Sequence, residues 1–569
     1  MNKEKLISDF RTATKNDWIA EAELALKGKP VGSLTSKTSD GIEILPIYFK
    51  ENFSYDSILN DSPGHSPFKR GISQSTYREE PWNICQIINV FEPSEFNRIA
   101  KHEVARGTTS IALKALNPGL EFSNKQCGTF ITGVDSIEQS LSGINLNEIS
   151  LYFSFNSSTI YAFESLVEYL IKSYNDINSI KLFTDFDYHS ELLLFGQAYI
   201  SCSDYSVFLN KILNRINTNN GIKLLGVNSY IYRNMGANTV QELAFSISSA
   251  IDTINILNEV HEINQVISGF HFNMSVSNDF FMEIAKFRAA RVIWSKLIES
   301  IGGKQESSKM TIRAVSLISN KSKLDKHTNM LRETTETLSG VIGGCQTISM
   351  LPFDNPNFSS DDFARRVARN TQLVIANECN LLEIRDPAGG SWYIETLTDE
   401  LIEKAWALIK TIENEGGFLK CIETGIIQKL IKESADKKKA SLSTRKEILI
   451  GVNKYPNSKD ILEDNNEKEY LASANQYRLS LNNLHSLDEP KKVTKIEPID
   501  FFDWSDPFIE LRNKSDKIKA DTGRLPSVFL TGFGTIKQYK TRMDFSKEFL
   551  AVGGIDFDSA EGLNTIDEA

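Results

Sequence analysis

The sequence predicts an α/β protein built on a parallel (β/α)8 TIM barrel. Eight short runs of apolar, β-branched or aromatic residues recur along the chain. They lie roughly 30–45 residues apart, with helical periodicity between them, as βα units require. No Gly-rich phosphate turn follows an early strand, which disfavours the runner-up, an open doubly wound sheet. At 569 residues the chain has room for such a barrel and for extensions on both sides of it.

Residues 1–104 read as an N-terminal arm and an extended segment. Trp18, Ile19, Ala22, Leu24 and Leu26 alternate with charges at near-helical spacing. Such an arm must bury its apolar stripe on its own domain or on a partner chain. The barrel is predicted over 105–410. Its strands are TTSIALKA (108–115), EISLYFSF (148–155), SIKLFTDF (179–186), KLLGVNSY (223–230), GFHFNMSV (269–276), TIRAVSLI (311–318), TISMLPF (347–353) and NLLEIRD (380–386). The clearest helix is NDFFMEIAKFRAARVIWSKLIES, in which Phe281, Ile284, Ala285, Arg288, Val292 and Leu297 mix a core stripe with basic edges. Residues 411–490 read as a helical linker region, ending in the charge-dense NSKDILEDNNEKEYLASANQYRL. In 491–569, DPFIELRNKSDKIKADTGRLPSVFLTGFG reads as helix, turn, strand. DFSKEFLAVGGI adds a helix ending at Gly553 and Gly554, the start of a further α/β unit.

Strand alternation predicts which faces point inward. Phe270, Phe272 and Met274 oppose His271, Asn273 and Ser275; Leu151, Phe153 and Phe155 oppose Ser150, Tyr152 and Ser154. The surrounding helices need the apolar faces, so the polar faces should line a hydrophilic interior.

Composition narrows the function classes. The chain is 41% hydrophobic and 24% charged, the make-up of a globular protein. Its net charge of -11 argues against a nucleic-acid partner. No run of ~20 apolar residues predicts a membrane span. The start, MNKEKLISDFRTATKNDW, has no apolar core behind its lysines, so a cytoplasmic location is expected. Cys85, Cys127, Cys202, Cys345, Cys379 and Cys421 never fall at C-x-x-C spacing, and free, mostly buried thiols are expected.

Single features read as structural. His271 is expected to be a satisfied core histidine and His485 a solvated linker residue. Asp386-Pro387-Ala388-Gly389-Gly390 reads as a Gly-Gly turn rather than a phosphate cradle. Arg365, Arg366 and Arg369, spaced along a helix, read as partners in ion pairs.

Several segments together resemble the methylmalonyl-CoA mutase family. The strongest is SDDFARRVARNTQLVIANECNLLEIRDPAGGSWYIETLTDELIEKAW (360–406). TLSGVIGGCQTISMLPFD (337–354), MEIAKFRAARVIW (282–294), SPGHSPFKRG (62–71), EEPWNICQI (79–87) and IGVNKY (450–455) agree in order and spacing. The resemblance implies a CoA arm threading the barrel axis and adenosylcobalamin as cofactor.

It also implies where this chain departs from active relatives. Those carry Arg-Pro-Trp, then an arginine and a catalytic tyrosine. Here Glu80 precedes Pro81-Trp82, Cys85 stands for the second arginine and Ile87 for the tyrosine. A carboxylate at 80 repels an anionic thioester. Active relatives also follow a tyrosine with a proton-donating histidine. Aligning YIYRNMGAN on Tyr230 and Gly236-Ala237 puts Ile231 there, and isoleucine neither titrates nor donates. The cobalt-ligating D-x-H-x-x-G is missing: after His327 the one histidine is His485, in NNLHSLDE.

The resemblance therefore implies a non-catalytic small (beta) subunit. No catalytic, cofactor-binding or metal-binding residue is expected on this chain. Adenosylcobalamin is expected on a large (alpha) subunit in a heterodimer, and residues 491–569 are expected to begin a degenerate, truncated cobalamin-binding-like domain. Two alternatives stay open: a divergent catalytic barrel served by a separate cobalamin chain, and a regulatory module that docks the mutase.

Overall fold

The computed structural model describes residues 13–49, 61–118, 127–216, 218, 221–354, 361–457, 466–481 and 495–568. Eight parallel strands form the barrel: β1 Asn83–Ile87, β2 Ser110–Leu116, β3 Ser150–Ser154, β4 Leu182–Asp185, β5 in two pieces (Ile222–Lys223 and Leu225–Val227), β6 Phe270–Val276, β7 Ile312–Ser316 and β8 Thr347–Met350. Leu224 interrupts β5; its first piece pairs with β4 and its second with β6. Asn83 pairs with Thr347, which brings the first and last strands together.

One predicted strand is replaced by another. Residues 380–386 do not join the sheet. Asn380 and Asp386 both adopt positive φ (55° and 46°), Leu381–Glu383 form a 3-10 turn, and Ile384 is exposed. The missing strand is NICQI at 83–87, so the sheet takes in residues ahead of the expected boundary at 105. Its polar Asn83 and Gln86 disguise it. Gln86 is buried and its amide donates to the Arg365 carbonyl at 3.1 Å.

The face assignment holds. Phe270 and Phe272 meet Trp294 of the outer helix Phe280–Ser300 at 5.5 and 4.9 Å between ring centroids. Burying aromatic residues of this kind contributes roughly 1.5–3 kcal/mol each. Phe155 stacks on Phe163 of helix Ile160–Ser173 at 5.3 Å. Tyr152 and His271 face inward and approach each other edge to face at 5.8 Å. Local signals set the helix starts. Asn238 and Gln241 form a capping box at the start of helix Thr239–Leu257, and Ser201 and Asp204 do the same for Cys202–Arg215.

In the N-terminal arm, helix Lys15–Ala25 has no buried residue. Trp18 reaches Phe49 edge to face at 6.0 Å, while Leu24 is 73% exposed. The linker region carries helix Asn466–Ser480, which docks Ala474 and Tyr477 on Leu116 and Phe130.

Residues 495–504 then cross the C-terminal ends of the strands as a strap. The N–H groups of Ile496, Ile499, Phe502 and Trp504 donate to the carbonyls of Gly196, Leu193, Asn234 and Ser319. Beyond it, helix Asp506–Thr522 leads to a βαβ unit made of β9 Ser527–Phe533, helix Ile536–Val552 and β10 Asp556–Leu563. Its two strands are parallel. The sequence predicted the helices and β9. It did not reveal β10, whose DFDSAEGL lacks an apolar alternation.

Candidate functional site

The strand C-terminal ends surround a cavity of 140 Å³, the rim where barrel enzymes place their chemistry. Below it the barrel axis is filled. Arg313, on β7, donates from Nε to Ser349 Oγ at 2.7 Å, and its Nη1 lies 3.6 Å from Asp185. Its guanidinium carbon sits 4.3 Å from the centroid of the Tyr152 ring. Tyr152 stacks on Phe183 at 4.6 Å and donates its hydroxyl to Thr347 Oγ1 at 3.0 Å. Asp185 accepts from Ser154 Oγ (2.8 Å) and Asn273 Nδ2 (2.9 Å). The interior is hydrophilic as predicted, but its polar groups bond to one another across the axis.

His271 is fully buried. Its Nε2 lies 2.9 Å from the Thr184 carbonyl and 3.3 Å from Asp185, while Nδ1 is buried with no hydrogen bond among the described residues. Burial holds its pKa below the ordinary imidazole range, against the pull of Asp185. It is the expected core histidine with one nitrogen left unsatisfied.

The structure gathers three of the four positions at which the resemblance implies a departure from active relatives. Ile87 and Ile231 line the same 140 Å³ cavity. Cys85 packs inward with Ala112, Tyr152, Phe183 and Ile87. Glu80 lies apart: its exposed carboxylate is 3.7 Å from Arg385, whose guanidinium carbon sits 4.1 Å from the Tyr77 ring centroid. YIYRNMGAN is not a plain loop, because Ser229–Asn234 form a short helix that points Ile231 into the cavity wall. Burial pushes the phenol of neighbouring Tyr230 up to about 12, so it stays protonated.

Two of the three helix arginines sit in ion pairs. Arg369 pairs with buried Glu103 at 2.5 Å and Arg365 pairs with Asp362, whereas Arg366 borders a surface groove beside His102 and Arg106. The Asp386–Gly390 turn is packed with protein charges. Asp386 accepts from Arg70 Nε at 2.8 Å and pairs with Arg288. Glu395 pairs with Arg288, lies 3.3 Å from Lys69 and accepts from the Gly390 N–H at 3.0 Å. A Cβ on Gly389 would sit 2.4 Å from an Asp386 oxygen, so no side chain fits there.

Sequence reasoning missed this network, which ties 62–71 to helices Phe280–Ser300 and Trp392–Asn414. The available signal was opposite charge in separate motifs: KRG and FRAAR against RDPAGG and WYIE. Cys85, Cys345 and Cys421 are buried, Cys127 and Cys202 partly so, and Cys379 is exposed; all are free thiols. His485 lies outside the described residues.

A family model described as methylmalonyl-CoA mutase matches residues 37–496. The chain is 30% identical over 574 residues to the methylmalonyl-CoA mutase small subunit of Porphyromonas gingivalis, covering 100% of this chain and 86% of that one. It is 26% identical over 472 residues to the methylmalonyl-CoA mutase large subunit of the same organism, covering 80% of this chain and 66% of that one. A probable mitochondrial methylmalonyl-CoA mutase of Caenorhabditis elegans is 30% identical over 469 residues, and the chain spans 62% of its length. The family match and the full-length similarity to the small subunit agree with the barrel and with the motif order. The chain belongs to the methylmalonyl-CoA mutase family, whose members are isomerases.

Proposed function

We propose that this chain is the non-catalytic small subunit of a cytoplasmic, heterodimeric, adenosylcobalamin-dependent methylmalonyl-CoA mutase, whose holoenzyme interconverts methylmalonyl-CoA and succinyl-CoA in propionate metabolism. The observation that carries the reading is the pairing of Ile87 and Ile231 on one cavity of 140 Å³, above an axis closed by Arg313, Tyr152 and Phe183. Neither isoleucine can clamp an anion or move a proton, and the contacts among Arg313, Tyr152 and Phe183 crowd the axis that a CoA arm would thread.

The residues present do not fit the cofactor either. Among the described residues no histidine lines the cavity, and the strap at 495–504 crosses the face above it. Adenosylcobalamin and substrate therefore belong on the large subunit in this reading. The present chain contributes a barrel-to-barrel contact, which for an obligate pair buries more than ~2,000 Å².

Co-purification with a large subunit and a turnover assay with adenosylcobalamin test the reading. A stable complex that is active, with this chain alone inactive, is the expected result. Turnover by this chain alone, or failure to form the complex, overturns it.

A further inference from the structure

The cavity holds a cation that has no counter-ion among the described residues. Lys114, on β2, lines it. Among the described residues its ammonium makes no ion pair and donates no hydrogen bond. Lys114 is half-buried at the cavity wall, whereas the fully buried lysines elsewhere are matched. Lys286 sits 2.8 Å from Glu242, Lys321 sits 2.8 Å from Glu336, and Lys223 donates to the Ser268 carbonyl at 2.7 Å. Burial pushes the Lys114 pKa down, and the one ionisable group acting on it is the Cys127 thiol, which also borders the cavity.

Two other groups shape the same space. The Tyr230 hydroxyl makes no hydrogen bond among the described residues, and its phenol keeps its proton to donate. Arg313 adds positive charge that Asp185 shares at 3.6 Å, and Asp185 is already occupied by Ser154 and Asn273. Ile87, Ala112, Ile231, Val315, Leu351 and Phe501 make the rest of the wall apolar. A half-buried cation with no counter-ion is partly desolvated, and a carboxylate that neutralises it recovers that part of the cost as affinity.

We propose that this cavity binds a small free carboxylate, with its oxygens on Lys114 and Tyr230 and a short apolar tail against Ile87, Ile231 and Phe501. A volume of 140 Å³ is close to that of an engineered cavity that takes benzene, so the ligand has roughly four to six non-hydrogen atoms. An acyl-CoA is far too large.

Calorimetric titration of the full chain with sodium butyrate, butyramide and sodium chloride at matched ionic strength tests the site. Butyrate is expected to bind saturably and raise the melting temperature, with butyramide and chloride inert. Lys114→Met is expected to weaken butyrate at least about 10-fold, the scale of a charge-assisted contact out of water. Ile231→Phe fills the cavity, keeps the lysine and is expected to abolish binding, which serves if the Lys114 variant fails to fold. Equal binding of butyrate and butyramide, no saturable binding, or full affinity in either variant overturns the proposal. The titration uses this chain alone, so its failure leaves the subunit reading untouched, and loss of the holoenzyme reading leaves this site standing.

Discussion

Lys286 shows how much this fold invests in buried charge. It is fully enclosed, 2.8 Å from Glu242 and 2.5 Å from Glu283, and donates to the Ser275 carbonyl at 2.7 Å. Lys286→Met leaves two buried carboxylates with only the more distant Arg233, at 3.9 and 4.0 Å, and is expected to cost about 3 kcal/mol, read from urea unfolding. Glu191 makes stability depend on pH. Burial pushes its carboxyl up to about 7, although the Ser157 N–H (2.9 Å) and hydroxyl both donate to it. The folded group thus keeps its proton where the unfolded group has lost it. Its contribution is complete below about 4.5 and is lost as pH rises through about 7. Unfolding measured at pH 5 and pH 8 should show a loss on the order of 2–3 kcal/mol that Glu191→Gln abolishes. At this scale the sequence was legible where a motif indexed the position, as at Cys85, Ile87 and Ile231. It was silent on Lys114 and on the Arg288 network, because a charge's partner is set by contacts between segments distant in sequence.

Among the elements, the strap at 495–504 has the most specific anchorage. The Asn234 side-chain oxygen accepts from the N–H groups of Ile318 (3.0 Å) and Ser319 (3.1 Å), while its carbonyl accepts from Phe502 N–H at 2.7 Å. Asn234→Ala strands two N–H groups at the rim and is expected to cost about 1–3 kcal/mol. Hydrogen exchange should rise at Ile318, Ser319 and Phe502 while β6 stays protected, the mark of local opening. Strand periodicity found most of the barrel because β2, β3, β6 and β7 alternate cleanly. It failed at β1, where the amides of half-buried Asn83 and buried Gln86 donate to Thr347 and Arg365, and at 380–386, where backbone φ values forbid extension. The strap left no trace in sequence, since its anchorage uses backbone N–H groups that every residue but proline carries.

Over the whole molecule, burial is unevenly spread. Helix Lys15–Ala25 places no residue in the core, so removing residues 1–26 is expected to shift the melting temperature by less than about 2 °C. A calorimetric scan of the shortened chain checks this. The small βαβ unit beyond the strap exposes Phe529, Phe545 and Phe549, while the much larger barrel exposes Phe281 and Phe363 on its outer helices. The barrel seals by pairing Asn83 with Thr347, side chains that lie 264 positions apart. A ribosome adding roughly 5–20 residues per second needs about 13–50 s to deliver the last strand after the first. Throughout that interval the nascent sheet carries two open edges and undocked apolar faces. Slow, high-contact-order closure makes such a chain a natural client of chaperones and favours cool, slow expression.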